Sequence, residues 1–184
     1  MIKRILKGLL AVCCAFTMIS IQGVYAAEGQ PEVIDDTDAR FVYSNGDANN
    51  GGWEGGGSGD PAATEHWSNT PGATVEISFN GTVFELYGIK APNHSMFTVS
   101  IDGGEEVKGD AYAASRTDGN ELYYSSEDAG IELEAGDHTA VLTVLEEANE
   151  AASNVLGLSV TYAQVYGGEP TEPEEPEFPG YSDV

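Results

Sequence analysis

The stretch ATVEISFNGTVFELYGIKAPNHSMFTVSIDGG, Ala73 to Gly104, decides the fold. Val75, Ile77 and Phe79 alternate with Glu76 and Ser78, and Phe84 and Leu86 with Val83, Glu85 and Tyr87. Phe97, Val99 and Ile101 then alternate with Thr98 and Ser100. Successive side chains of a strand point to opposite faces, so the pattern is that of strands buried on one side. Asn80-Gly81 predicts a two-residue hairpin turn, because both residues accept the positive φ such a turn requires. That turn would pair Phe79 with Thr82, Ile77 with Phe84 and Val75 with Leu86, on one face, and a slip of one residue would mix the faces. Asp102-Gly103 predicts a second turn, after which a short loop would pair Val107 with Val99.

Upstream, Val33 to Asp38 leads into a short strand, Arg40 to Ser44. A glycine-rich loop, Asn45 to Pro61, carries Trp53, and Glu65 to Gly72 reads as a brief strand and turn. Downstream, Asp110 to Asn120 is polar and holds Tyr112 and Arg116. Strands follow at Glu121–Ser125, at His138–Leu145 with Ala140, Leu142 and Val144 inward, and at Val155–Tyr166, apolar on both faces as a central strand should be. Glu146 to Asn154 reads as a helical turn or a loop. Eight or nine short strands without a long helix predict an all-β fold, a two-sheet antiparallel β-sandwich of the jelly-roll kind, with an immunoglobulin-like sandwich as the alternative. The folded domain spans residues 31–166.

Residues 1–26 read as a secretory signal peptide: Lys3, Arg4 and Lys7 precede an apolar run from Leu9 to Ile21, and Val24-Tyr25-Ala26 places small residues at the cleavage positions. The run is too short to span a bilayer comfortably, so secretion without membrane insertion is expected. Cys13 and Cys14 both fall inside the signal, which leaves the exported part without a disulfide. Residues 167–184, rich in proline and glutamate, read as a disordered tail. The chain holds 7 basic and 31 acidic residues, and removing Lys3, Arg4 and Lys7 leaves four basic ones and a formal charge of −27. A surface that acidic repels phosphate, which excludes nucleic acid as a partner and disfavours anionic membranes and polyanionic glycans. Neutral ligands remain, and acidity also serves plain solubility.

The pieces IDDTDARFVYS, HWSNTPGATVEISFNGT, LYGIKAPNH, VSIDGG, ELYYSS and AGDHTAVLTV stand in an order that resembles the galactose-binding-like jelly-roll domain. That domain is appended to secreted bacterial glycoside hydrolases and other carbohydrate-active proteins. The resemblance covers Val33 to Tyr166, with HWSN and the Gly88–His94 segment its most specific parts. It implies non-catalytic carbohydrate binding, by loops at one edge or by a concave sheet face. The chain departs from the pattern at Ser95, where relatives have glycine, and at Ser159-Val160-Thr161-Tyr162, where relatives carry an acid that completes a structural calcium site.

Sugar recognition needs a flat apolar face for the C–H side of the ring and fixed polar groups for its hydroxyls. Trp53, Tyr87 and Tyr112 lead the candidates for the first role, with Trp67, Tyr123 and Tyr124 behind them, and His66, Lys90, Asn93, His94 and Arg116 are candidates for the second. The Lys90–His94 loop gathers three donors in five residues, and Pro92 limits their freedom. On this reading, replacing Asn93 or His94 abolishes binding and spares stability; the alternative is that both merely shape the loop. Trp53, alone in a glycine-rich loop, reads as an exposed platform, and Trp67, bordering a strand, as core. Tyr123 and Tyr124 should face opposite sides of their strand, and His138 reads as structural. Asp35, Asp36 and Asp38 form a loose oxygen cluster that would suit a structural Ca²⁺, or else a solvated acidic entry segment. The chain has no G-x-S-x-G elbow and no H-E-x-x-H site, so it reads as non-catalytic. Two readings stay open: a carbohydrate-binding module, associated with a carbohydrate-active enzyme or a cell surface, and an adhesion or spacer domain whose partner is a protein or nothing.

Overall fold

The three strands of Ala73–Gly104 form, but they do not lie side by side. The computed structural model describes residues 30–44, 53–56, 61–153 and 157–168. The signal segment, most of the glycine-rich loop and the tail from residue 169 lie outside the described residues. Eleven strands are present among the described residues: β1 (Glu32–Asp35), β2 (Phe41–Tyr43), β3 (Glu54–Gly56), β4 (Glu65–Ser68), β5 (Thr74–Asn80), β6 (Val83–Ile89), β7 (Ser95–Ile101), β8 (Val107–Asp110), β9 (Glu121–Ser125), β10 (Asp137–Ala148) and β11 (Leu158–Tyr166). One sheet runs β3-β4-β11-β6-β9, with β1 also on β11, and the other runs β2-β5-β10-β7-β8. All these pairings are antiparallel, and the two sheets face each other as a jelly-roll sandwich. Among the described residues no helix is long and apolar enough to cross a membrane.

The expected β5–β6 hairpin is replaced by an arch. β5 pairs with β2 and β10 in one sheet, and β6 with β11 and β9 in the other. Phe79 and Phe84 therefore meet across the core, their rings 4.6 Å apart, instead of along a ladder. An arch and a hairpin impose the same alternation, because in both the apolar faces turn toward one interior. Turn geometry tells them apart: neither Asn80 nor Gly81 has positive φ. Gly81 is needed for close approach instead, since a Cβ there would stand 2.6 Å from the Tyr166 carbonyl oxygen. The left-handed turn sits at Asp102 (φ 51°) and Gly103 (φ 68°), and Val99 does pair with Val107.

The core is built from the inward residues of both sheets, among them Val75, Ile77, Phe84, Leu86, Phe97, Val99, Leu142 and Val160. Tyr123 and Tyr124 both join it, against expectation. A bulge lets Leu86 pair with Tyr124 and Tyr87 with Leu122, so one extra residue enters β9 and the alternation resets. Tyr123 stacks on Phe97 at 4.8 Å and Tyr124 tilts against Phe84 at 6.3 Å.

At the far end of β10, His138 ties two turns together. Its Nδ1 donates to the Asp102 carboxylate at 2.7 Å and its Nε2 to the Glu134 carbonyl at 2.7 Å, so the charged ring satisfies two acceptors. Burial works to lower the His138 pKa, but these acceptors outweigh it and leave the pKa above the ordinary histidine value. Burial works to raise Asp102, and the bonds from His138 and the Thr139 amide leave it below the ordinary carboxylate value. The imidazolium contribution is thus complete below about pH 6.5 and fades as pH rises through the higher folded pKa. The carboxylate contribution is complete above about pH 4 and fades as pH falls through the lower one. Wild-type Tm should therefore fall between pH 6 and 8 more than that of Asp102→Asn, whose side chain still suits positive φ. Parallel melts across that range check this, and equal slopes would contradict it.

Candidate functional site

Residues 65–69 run out of β4 with alternating character. Ser68 is buried and His66 half-buried, whereas Trp67 is 37% exposed and Asn69 is exposed. Glu65, Trp67 and Asn69 line one concavity of about 320 Å³ together with Asn93, His94, Arg116, Gly157 and Ser159. Four chain segments converge there: β4 and its extension, the β6–β7 loop, the long connection from β8 to β9, and the start of β11 with Gly157 before it.

The two loops are held by backbone bonds. The Asn93 carbonyl accepts from the Gly157 amide at 3.0 Å, the Pro92 carbonyl from Ser153 at 2.9 Å, and the Ala91 carbonyl from His94 at 3.2 Å. Thr117 donates its amide to the Lys90 carbonyl at 2.9 Å and accepts the Lys90 amide on its hydroxyl at 3.0 Å. That clamp places Arg116, whose Nη2 donates to Glu65 Oε1 at 2.6 Å. Glu65 Oε2 is buried and, among the described residues, has no hydrogen-bond partner. The side-chain amides of Asn69 and Asn93 likewise lack partners among the described residues.

His94 is only 4% exposed, and its Nδ1 donates to the Ile89 carbonyl at 2.7 Å. Burial lowers its pKa, the Ile89 carbonyl pulls the other way, and the Arg116 charge adds to the lowering. Near neutral pH the ring is therefore uncharged, with the proton on Nδ1 and a lone pair on Nε2. The expectation that Asn93 and His94 are equivalent is corrected by their burial. His94→Ala should lose stability by about 1–3 kcal/mol, because a buried acceptor loses its partner, whereas exposed Asn93→Ala should leave Tm unchanged; thermal melts of both variants check the contrast.

Of the eight residues proposed for ligand contact, Asn93, His94 and Arg116 meet in this cleft. The other five do not line it. Trp53 is buried at 5% exposure and packs on Tyr43 at 5.2 Å, so the exposed platform is Trp67 and the expected roles of the two tryptophans are exchanged. The reason is pairing: β3 lies at the sheet edge next to β4, which turns Trp53 inward over β2. His66 is occupied, donating from Nδ1 to Asp36 at 2.6 Å and stacking on Tyr43 at 4.4 Å. Tyr87 stands on the first sheet, stacked on Tyr162 at 4.5 Å and donating to Glu85 at 2.6 Å. Lys90 joins through its backbone, and Tyr112 is half-buried beside Ala91. Glu65 and Asn69 were overlooked and Trp67 was given to the core, although their two-residue spacing marks one face of an extended strand.

Of the three aspartates proposed for calcium, Asp35 and Asp36 share the Thr64 hydroxyl, which lies 3.3 Å from Asp35 Oδ2, and Asp38 is paired with Arg40. Asp36 is fully buried and spends one oxygen on His66 and the other on the Thr64 hydroxyl at 2.5 Å. Asp38 is held by Arg40 at 3.0 and 3.1 Å, which keeps its carboxyl below the usual range, and Asp35 accepts from the Thr37 amide at 2.9 Å. Among the described residues no group of three His, Cys, Asp or Glu is placed to hold a metal. Calcium wants six to eight oxygens, and these carboxylates are committed elsewhere, so they do not fit that ion. Added Ca²⁺ and chelator are expected to leave Tm unchanged in differential scanning; a rise that chelator reverses would place a cation elsewhere in the chain.

No family model and no curated protein matches the sequence. Solved structures do. A two-domain esterase active on acetylated mannans, co-crystallised with mannopentaose, is similar with a TM-score of 0.54 and 14% identity over 77% of this chain. This chain spans only 38% of that esterase's length. The CBM36-1 domain of a multidomain xylanase from the hindgut metagenome of Trinervitermes trinervoides matches over 76% of this chain and 98% of its own, with a TM-score of 0.42 and 15% identity. A CBM35 domain from Cellvibrio japonicus matches over 76% and 94%, with a TM-score of 0.41 and 16% identity. At these identities the likeness is one of fold alone.

Proposed function

We propose that this chain is a secreted, non-catalytic module that binds neutral carbohydrate in the cleft around Trp67. One observation carries the reading: an exposed indole stands in a concavity ringed by polar groups without partners among the described residues, namely Asn69, Asn93 and the buried Glu65 Oε2. A sugar ring presents an apolar C–H face and a rim of hydroxyls, each of which both donates and accepts. The indole takes the face, Arg116 and the asparagine amides donate to the rim, and Glu65 and the His94 Nε2 lone pair accept. A formal charge of −24 on the whole chain favours a neutral glycan over an anionic one. The fold shared with part of an enzyme acting on acetylated mannans supports a role beside a carbohydrate-active enzyme or at a cell surface. Residues 1–26 serve as the export signal in this reading.

The test is a glycan array with the chain from residue 27 onward, run with calcium and with chelator. Binding to a coherent set of neutral glycans in both buffers is the expected result. A blank in both would remove the lectin reading and favour a spacer or protein-binding domain.

A further inference from the structure

The cleft does not end at the Arg116–Glu65 pair. On its other side lies a second concavity of about 470 Å³, lined by Ala62, Ala63 and Ile89 and by the segment from Thr117 to Asn120. The two concavities share only Glu65 and Arg116, so the ion pair forms a bar between them. Each alone has the size of a small-molecule site, about 300–1,000 Å³.

Their chemistry differs. The first offers the Trp67 indole; the second has no aromatic side chain, but small apolar residues beside Asp118 and Asn120, whose side chains have no partners among the described residues. Its wall is fixed in place. The Thr161 hydroxyl donates to the Gly119 carbonyl at 2.5 Å, and a Cβ at Gly119 would stand 2.8 Å from the Thr161 methyl carbon. Thr117 is bonded to the Lys90 backbone through both its amide and its hydroxyl. At the bar itself, the unpartnered Glu65 Oε2 is a buried acceptor, and leaving such a group unpaired is costly.

We propose that the cleft reads two consecutive sugar units of one chain: one stacked on Trp67, the next against Asp118 and Asn120, with Arg116 and Glu65 meeting hydroxyls on either side of the linkage. This rests on the carbohydrate reading above and adds to it that the recognised unit is a disaccharide or longer. Asp118 and Asn120 are then specificity residues for chain length.

Calorimetric titration tests this with glucose, mannose, xylose and galactose and with their β-1,4-linked oligomers of two to four units. The expected result is that affinity in the series that binds rises about tenfold or more from one unit to two, then levels. The double variant Asp118→Ala/Asn120→Ala, with both positions exposed, should keep its melting temperature and bind the tetramer about as weakly as wild type binds the single sugar. Equal affinity for one unit and four, or a double variant that binds the tetramer like wild type, overturns the two-unit cleft while leaving the carbohydrate reading intact. Absence of binding by every sugar overturns both.

Discussion

Trp67→Ala is expected to weaken glycan binding about thirtyfold or more while moving Tm by only a few degrees. The indole is 37% exposed and supplies the aromatic face of the cleft. A central aromatic anchor in an interface is commonly worth about 2 kcal/mol or more, which is the thirtyfold. The loss to the fold should be small because Trp67 lies outside the core cluster. Titration and melting of the same preparation separate the effects. A variant that binds normally would remove Trp67 from the site, and one that unfolds would return it to the core role read from its sequence context.

The second large effect concerns the fold. Gly88→Ala is expected to cost about 3 kcal/mol and lower Tm by roughly 10 °C. Gly88 lies in β6 beneath the Tyr123 ring, and an added Cβ would stand 2.5 Å from two ring carbons and closer still to the Ser159 carbonyl oxygen. Neither side can yield easily. Tyr123 is pinned by its hydroxyl bond to the Ile89 carbonyl and by stacking on Phe97, and Ser159 pairs with both Ile89 and Trp67. Because the Ile89 carbonyl that holds the Tyr123 hydroxyl also holds His94 of the Trp67 cleft, the variant should lose binding along with stability. A Tm within two or three degrees of wild type would show that the ring and strand relax, contrary to this packing.

The strands were legible because burial on one face writes a period of two into Val75–Phe79, Phe97–Ile101 and Ala140–Val144. Pairing partners were not. Asn80-Gly81 joins strands of opposite sheets, and an arch carries the same alternation as a hairpin. A single bulge, at Tyr123, reset the alternation of β9 and brought two tyrosines inward where period two allowed one. The same limit applies to the site. Asn93, His94 and Arg116, which the structure brings to one concavity, were picked out because clustered donors and cationic residues stand out in a −24 chain. Trp53 and Trp67 were exchanged because the exposure of a tryptophan near a sheet edge depends on which strand covers it. The aspartates of Asp35–Asp38 looked like one cluster by proximity in sequence, but only Asp35 and Asp36 share a partner, the Thr64 hydroxyl, while His66 and Thr37 take their other bonds and Arg40 holds Asp38.

The cleft itself is best tested by nuclear magnetic resonance, titrating ¹⁵N-labelled protein with a glycan that binds on the array. The Trp67 indole, the Asn69 and Asn93 side-chain amides and the Arg116 guanidinium are expected to shift together and saturate at one affinity. Shifts gathered instead on Tyr87, Tyr162 and Tyr166 of the sheet face, with the Trp67 cleft silent, would contradict it.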